Sequence, residues 1–213
     1  MSKEAPLGPV GNGVAPQGAG WFVLNATDAR WLDNDAFGAY TRFEGKDEAR
    51  FDQVGTNIAA LQPGQPMCLY HGEEDQEDFF VLSGQGLLLI EGQERPLRAW
   101  DFVHCPPWTE HVIVGAGDRP CVVLAVGARS HEGVVYPVSE LAARYGASAD
   151  FEHRRGAEGK AGESPYTGFP EDREGEPEKS WLQLGGYPCC SPHPALPIQR
   201  MCFRRPRRWS RSS

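Results

Sequence analysis

An all-β fold, an antiparallel sandwich or barrel, is the class this sequence predicts, and three observations predict it. Short apolar runs, "DFFVLSG", "QGLLLIEGQ", "EHVIVGAG" and "PCVVLAVGA", follow one another with turn residues between them, at spacings of roughly 8 to 12 residues. The chain holds 25 glycines and 18 prolines in 213 residues, a composition that suits short strands and turns better than long helices. Only "VSELAARYG" has a helical texture, with Ser139 placed to cap its start and Gly146 to end it.

Taken in chain order, residues 1–20 are rich in Gly and Pro and are expected to be disordered. From Trp21 the texture changes: "WFVLN" and "FGAYTRFE" read as short aromatic strands, and "GTNIAALQPGQPMCLYH" as two more, broken at Pro63-Gly64. Residues 21–150 are thus expected to form a barrel with N-terminal strands and one helix. Residues 151–213 are charged and lack periodicity, and are expected to form an extended or disordered tail. Tyr166, Phe169 and Trp181 in that tail could lie on the barrel, lie on a second subunit, or stay in solvent. The tail ends in six arginines between residues 200 and 213, read as a solvated cluster.

The formal charge of -8 hides this asymmetry, since the rest of the chain is far more acidic. Such a body is a poor partner for nucleic acid. No run approaches the roughly 18 to 20 apolar residues of a membrane span, and the N-terminus offers no signal-peptide core. A cytoplasmic protein is expected. The six cysteines, at 68, 105, 121, 189, 190 and 202, form no CxxC pair and are read as reduced thiols. Apolar sheet faces and edge strands ask for cover. A homodimer is therefore expected, with the strands from Trp21 to Phe43 as candidates for exchange.

The stretch "YHGEEDQEDFFVLSGQG" carries the chemistry. Residues two apart in a strand share a face. In "MCLYHGE" this puts Met67, Leu69, His71 and Glu73 on one side, and Cys68 and Tyr70 on the other. Glu77, before the run "FFVL", can lean back toward His71. In "HCPPWTEHVIV" His111 opens a strand and shares a face with Ile113. Two imidazoles and one or two carboxylates can thereby converge at one end of a barrel. Cys68 and Cys105 are read as facing away. Glu74, Asp75, Gln76 and Asp78 are read as a solvated loop, and Tyr70, His104 and Arg98 as lying outside the site.

Residues 64–127 resemble a small single-domain cupin. Its first motif is G-x5-H-x-H-x3,4-E-x6-G. His71, Glu77 and Gly84 fall on the first histidine, the glutamate and the closing glycine. Glu73 stands in place of the second histidine, and Gly64 is one residue too far upstream for the opening glycine. The second motif is G-x5-P-x-G-x2-H-x3-N. Pro106 and His111 match it, while Trp100, Trp108 and Gly115 replace its glycines and asparagine.

The resemblance implies a double-stranded β-helix, or jelly roll, with one short C-terminal helix and an extended tail. It also implies a metal on His71, Glu77 and His111, with Glu73 as a conditional fourth ligand. A mixed N/O set suits divalent transition metals. The extra carboxylate favours Mn(II) or Fe(II), and Zn(II) also fits. Trp108, at a turn-glycine position, is either an aromatic lid over the pocket or a cover for apolar surface, in a turn whose φ is altered or not positive. Trp100 is expected to pack.

Three functions follow: a metal-dependent enzyme of dioxygenase, isomerase or decarboxylase type on a small molecule in the barrel; a metal-free binding or sensor module; and a metal-free epimerase using histidine and tyrosine. The last ranks below the others because alternation places no tyrosine inside.

Overall fold

The computed structural model describes residues 2–155 and 164–178. Its strands in chain order are β1 (Leu7–Val10), β2 (Gly13–Pro16), β3 (Trp31–Asn34), β4 (Gly38–Arg42), β5 (Val54–Leu61), β6 (Gly72–Glu73), β7 (Glu77–Ser83), β8 (Gln85–Ile90), β9 (Gln93–Arg98), β10 (Phe102–Cys105), β11 (His111–Ala116), β12 (Cys121–Ala128), β13 (Val134–Tyr136), β14 (His153–Arg155) and β15 (Arg173–Gly175). The helix α1 covers Glu140–Ala143. Ser139 caps it through Ala142 N, and Gly146 follows with φ +68, as the sequence predicts.

One sheet has seven strands in the order β10-β7-β12-β5-β4-β3-β15. The opposing layer pairs β11-β8-β9 and β14-β13-β6, linked by the isolated bridges Pro66↔Val114 and His71↔His111. All the strand ladders are antiparallel. Two sheets face to face make a double-stranded β-helix, the predicted class.

The middle strands read as unbroken apolar runs because both of their faces are covered. On β12, Cys121, Val123 and Ala125 join the inter-sheet core with Leu61, Val81 and Ile113. Val122 and Leu124 turn outward to Trp31, Ala39 and Ile58. On β11, Ile113 faces the core, while Val112 and Val114 pack outward with Tyr70 beneath α1. His111 continues the inward register of Ile113, so the core becomes polar at that end. Gly84 makes the β7–β8 turn at φ +76, and a Cβ there would meet Pro120 O at 2.2 Å.

One expectation about the periphery is corrected. Residues 2–20 are not disordered: β1 and β2 form a hairpin with Ala5 and Ala15 buried. The Gly/Pro composition serves turn and close-approach geometry there, which composition alone reads as disorder. The strands between Trp21 and Phe43 join the seven-stranded sheet, where β15 pairs with β3. Part of the tail is built into the fold, the alternative in which its aromatics lie on the barrel. Tyr166 and Phe169 pack on Phe37 at ring distances of 5.4 and 4.9 Å, and Arg173 pairs with Asp33 and Asp35. Trp181, the three distal cysteines and the arginine cluster lie outside the described residues. Among the described residues no helix is long and apolar enough to cross a membrane.

Candidate metal centre

His71 and His111 are exchanged-pair partners across the two segments. His71 N donates to His111 O at 3.1 Å and His111 N donates to His71 O at 2.8 Å. Directly opposed residues of an antiparallel pair project to the same face, so both imidazoles enter the same cavity with ring centroids 5.1 Å apart. Glu77 reaches them from the first residue of β7. Its Oε2 lies 3.2 Å from His111 Nε2 and 3.5 Å from His71 Nε2.

The ring orientations are fixed from behind. His71 Nδ1 lies 2.8 Å from Leu69 O, and His111 Nδ1 lies 2.8 Å from Thr109 O. A carbonyl only accepts, so each Nδ1 carries the proton and donates. Each Nε2 is thereby left to present a lone pair when the ring is neutral, the tautomer that suits metal ligation. Ligand atoms of His71, Glu77 and His111 all lie within 4.8 Å of one another.

Two of these atoms, Glu77 Oε2 and His111 Nε2, are buried without a hydrogen-bond partner. Buried polar atoms are rarely left so. They lie 3.2 Å apart, an ion-pair distance when His111 is protonated. An orphaned nitrogen and oxygen converging in a mixed N/O set fit a divalent transition metal.

Electrostatics describe the same trio without a metal. Burial opposes charge on His71, but Cys68 at its Nδ1 side and Glu77 outweigh it and hold the pKa well above 6.5. Burial likewise opposes charge on His111, yet Cys105 and Glu77 raise its pKa to about 9. Burial alone would lift Glu77. The two imidazoles prevail and bring it down to about 2.

Glu73 stands at the rim. Its Oε1 is 3.7 Å from His71 Nε2, and its side chain is 36% exposed. It falls outside the three-residue convergence, and burial followed by the Glu77 charge raises its pKa.

The remaining sequence-predicted residues divide. Trp108 does not line the cavity. Its indole lies over Gly133, while its backbone N–H donates to Glu73 O at 2.6 Å. Its φ is +65 and that of Trp100 is +77, so both tryptophans keep the glycine-like backbone. Trp100 meets Phe80 edge-on but stays 72% exposed. Tyr70 and His104 lie outside the site, as expected, with His104 on Asp78 at 2.7 Å. Cys68 and Cys105 do not face away. Cys68 lines the cavity with its sulfur 3.6 Å from His71 Nδ1, and Cys105 sits in the inter-sheet core. The segment 67–71 is bridged only at isolated points, so strict alternation fails there. Nor is the acidic stretch simply solvated: Asp75 is buried against His131 N and Nδ1, and Glu74 accepts from Gly133 N.

The cavity has a volume of about 630 Å³, ample for a small molecule. Sequence reasoning missed its tyrosines. Tyr136 stacks on His71 at 5.6 Å, and Tyr166 stands edge-on to Tyr136 at 5.8 Å. Tyr40 donates to Asp172 Oδ2 at 2.5 Å. The short run "VVYP" after β12 was the signal available for Tyr136. Tyr166 and Asp172 arrive from the tail, which no local pattern places.

The cupin domain family matches residues 57–127. No curated protein matches the sequence. Solved structures similar to the chain include a sugar phosphate isomerase candidate from Acidithiobacillus ferrooxidans, at 27% identity and TM-score 0.40, over 46% of this chain and 64% of that one. This chain thus spans less than two thirds of that protein's length. A cupin-superfamily sugar phosphate isomerase from Silicibacter pomeroyi is similar at 25% identity and TM-score 0.44, over 56% and 73%. A double-stranded β-helix protein from Klebsiella pneumoniae is similar at 19% identity and TM-score 0.41, over 47% and 84%. The family match spans His71, Glu77 and His111, and residues 57–127 thus form a cupin domain.

Proposed function

We propose that this protein is a metal-dependent enzyme acting on a small molecule held in the barrel cavity. His71 Nε2, His111 Nε2 and Glu77 would hold a divalent transition metal, Mn(II) or Fe(II) in preference to Zn(II). Glu73 is a rim carboxylate that can approach as a fourth ligand. The observation that carries this reading is the pair His111 Nε2 and Glu77 Oε2, both buried without a hydrogen-bond partner, in a trio with His71 whose ligand atoms lie within 4.8 Å of one another.

When bound, the metal supplies Lewis acidity, or redox chemistry toward dioxygen in the case of iron. The chain supplies the rest. Leu69 O and Thr109 O orient the two imidazoles. Tyr136, Tyr166 and Phe79 line the cavity and limit water around the site. Glu73, with its raised pKa, is the carboxylate placed to accept a proton from a bound molecule.

The test is elemental analysis of protein purified without a histidine tag, followed by turnover assays with chelator and with added Mn(II) or Fe(II). About one metal per chain, lost in His111→Ala together with activity, is expected. No metal in either protein would refute the reading.

A second reading, a metal-free binding module, draws on the charge pattern. Without a metal, the raised pKa values of both histidines and the lowered value of Glu77 describe a buried imidazolium–carboxylate trio. Ligand-dependent thermal shifts in metal-free protein, without turnover, would favour it.

A further inference from the structure

Opposite the histidines, the cavity wall holds two polar groups that the metal centre does not use. Asn57 on β5 and Arg42 on β4 are directly opposed in the ladder, and both line the cavity. The Asn57 side chain makes no hydrogen bond with any described residue, and its Oδ1 is buried. A buried carboxamide oxygen left this way is costly unless a ligand completes it. Arg42 is the one arginine or lysine lining the cavity among the described residues. Its guanidinium lies over the Tyr40 ring at 5.3 Å and forms no ion pair among the described residues. Stacking fixes the plane and leaves the fork of N–H donors free, the arrangement that binds carboxylate or phosphate.

Four acids share the lining with Arg42: Glu73 and Glu77 at the histidine end, Glu171, and Asp172, which is engaged by Asn34 Nδ2 at 3.0 Å and by Tyr40. None of them forms an ion pair with Arg42 among the described residues. Aromatic walls, including Tyr136, Tyr166 and Phe169, line the same cavity.

We propose that the cavity takes a small hydroxylated organic anion with an apolar or aromatic body, its acid group on Arg42 and a hydroxyl on Asn57. This deepens the enzyme reading by naming a ligand class, and it rests on the cavity being the ligand site. It does not rest on the metal.

The test is calorimetric binding of four probes to the full chain, measured after chelation and again with Mn(II). 4-Hydroxybenzoate is expected to bind at least about tenfold tighter than neutral 4-hydroxybenzamide, and Arg42→Gln should bring the two within about twofold. Benzoate, lacking the hydroxyl, should bind more weakly than 4-hydroxybenzoate. Asn57→Ala should erase that difference, keep the acid preference, and leave Tm unchanged or higher. Phenyl phosphate distinguishes the acid: tighter binding than benzoate assigns a phosphoryl group, weaker binding a carboxylate, and either supports the anion site.

The proposal is overturned if the amide binds as well as the acid, if Arg42→Gln leaves their ratio unchanged, or if no probe binds at millimolar concentration. Acid preference in protein that never takes up metal would remove the metal reading and keep this one. Metal uptake without acid preference would do the reverse.

Discussion

His111 Nε2 and Glu77 Oε2 lie 3.2 Å apart in the buried end of the barrel, and neither makes a hydrogen bond. Leu69 O and Thr109 O hold the two rings from behind, and the ligand atoms of His71, Glu77 and His111 stay within 4.8 Å of one another. Preorganisation of this kind reduces the cost of assembling a metal site.

The two carboxylates should therefore behave differently. Glu77→Gln is expected to weaken Mn(II) binding by about 100-fold or more, and Glu73→Gln by about tenfold or less. At a metal concentration 100-fold above Kd, wild-type protein should gain about 2.7 kcal/mol. That corresponds to a rise in Tm of about 5 to 10 °C. Metal titrations followed by thermal unfolding check both.

The pH dependence has a definite sign. In metal-free protein His111 has a pKa raised from 6.5 to about 9. Its contribution to stability is complete below 6.5 and is lost as pH rises through 9. Glu77 has a pKa lowered from 4.5 to about 2. Its contribution is complete above 4.5 and is lost as pH falls through 2. Chelated protein should be most stable between these windows, and the alkaline loss should diminish in His111→Ala. Metal uptake must displace imidazole protons, so affinity should rise with pH toward 9. Urea unfolding and metal titration across pH check the two halves.

Arg129 makes a bidentate pair with Glu44 at 2.7 and 2.8 Å and also donates to Phe51 O at 2.7 Å. Arg129→Met leaves a largely buried carboxylate and a carbonyl without their donor. A loss of about 2 kcal/mol is expected, with metal content unchanged. Denaturant unfolding and elemental analysis together would show it.

Trp100 occupies a left-handed backbone conformation while most of its indole stays in solvent. Trp100→Gly should be stabilising by up to about 1 kcal/mol, the backbone relief exceeding the lost edge contact with Phe80. A lower Tm would show that the Phe80 contact outweighs the strain.

The spacing of His71, Glu77 and His111 was legible because it matches the cupin motifs, whereas strand alternation alone would not have placed Cys68, since residues 67–71 are bridged only at isolated points. The helix was legible from its caps. Trp108 was not placed correctly because substitution of a turn glycine reads as a changed turn, whereas the turn is kept and the side chain swings over Gly133. Tyr166, Asp172 and β15 were beyond local reading, since their partners on Tyr136, Tyr40 and β3 are distant in the chain. The N-terminal hairpin was hidden because turn-forming composition and disorder share the same residues.

Anomalous diffraction from crystals grown with Mn(II) or Fe(II), collected on both sides of the metal's absorption edge, tests the central claim most directly. A single strong peak within bonding distance of His71 Nε2, His111 Nε2 and Glu77 is predicted. No peak there, with His111 Nε2 instead in aligned contact with Glu77, would contradict it.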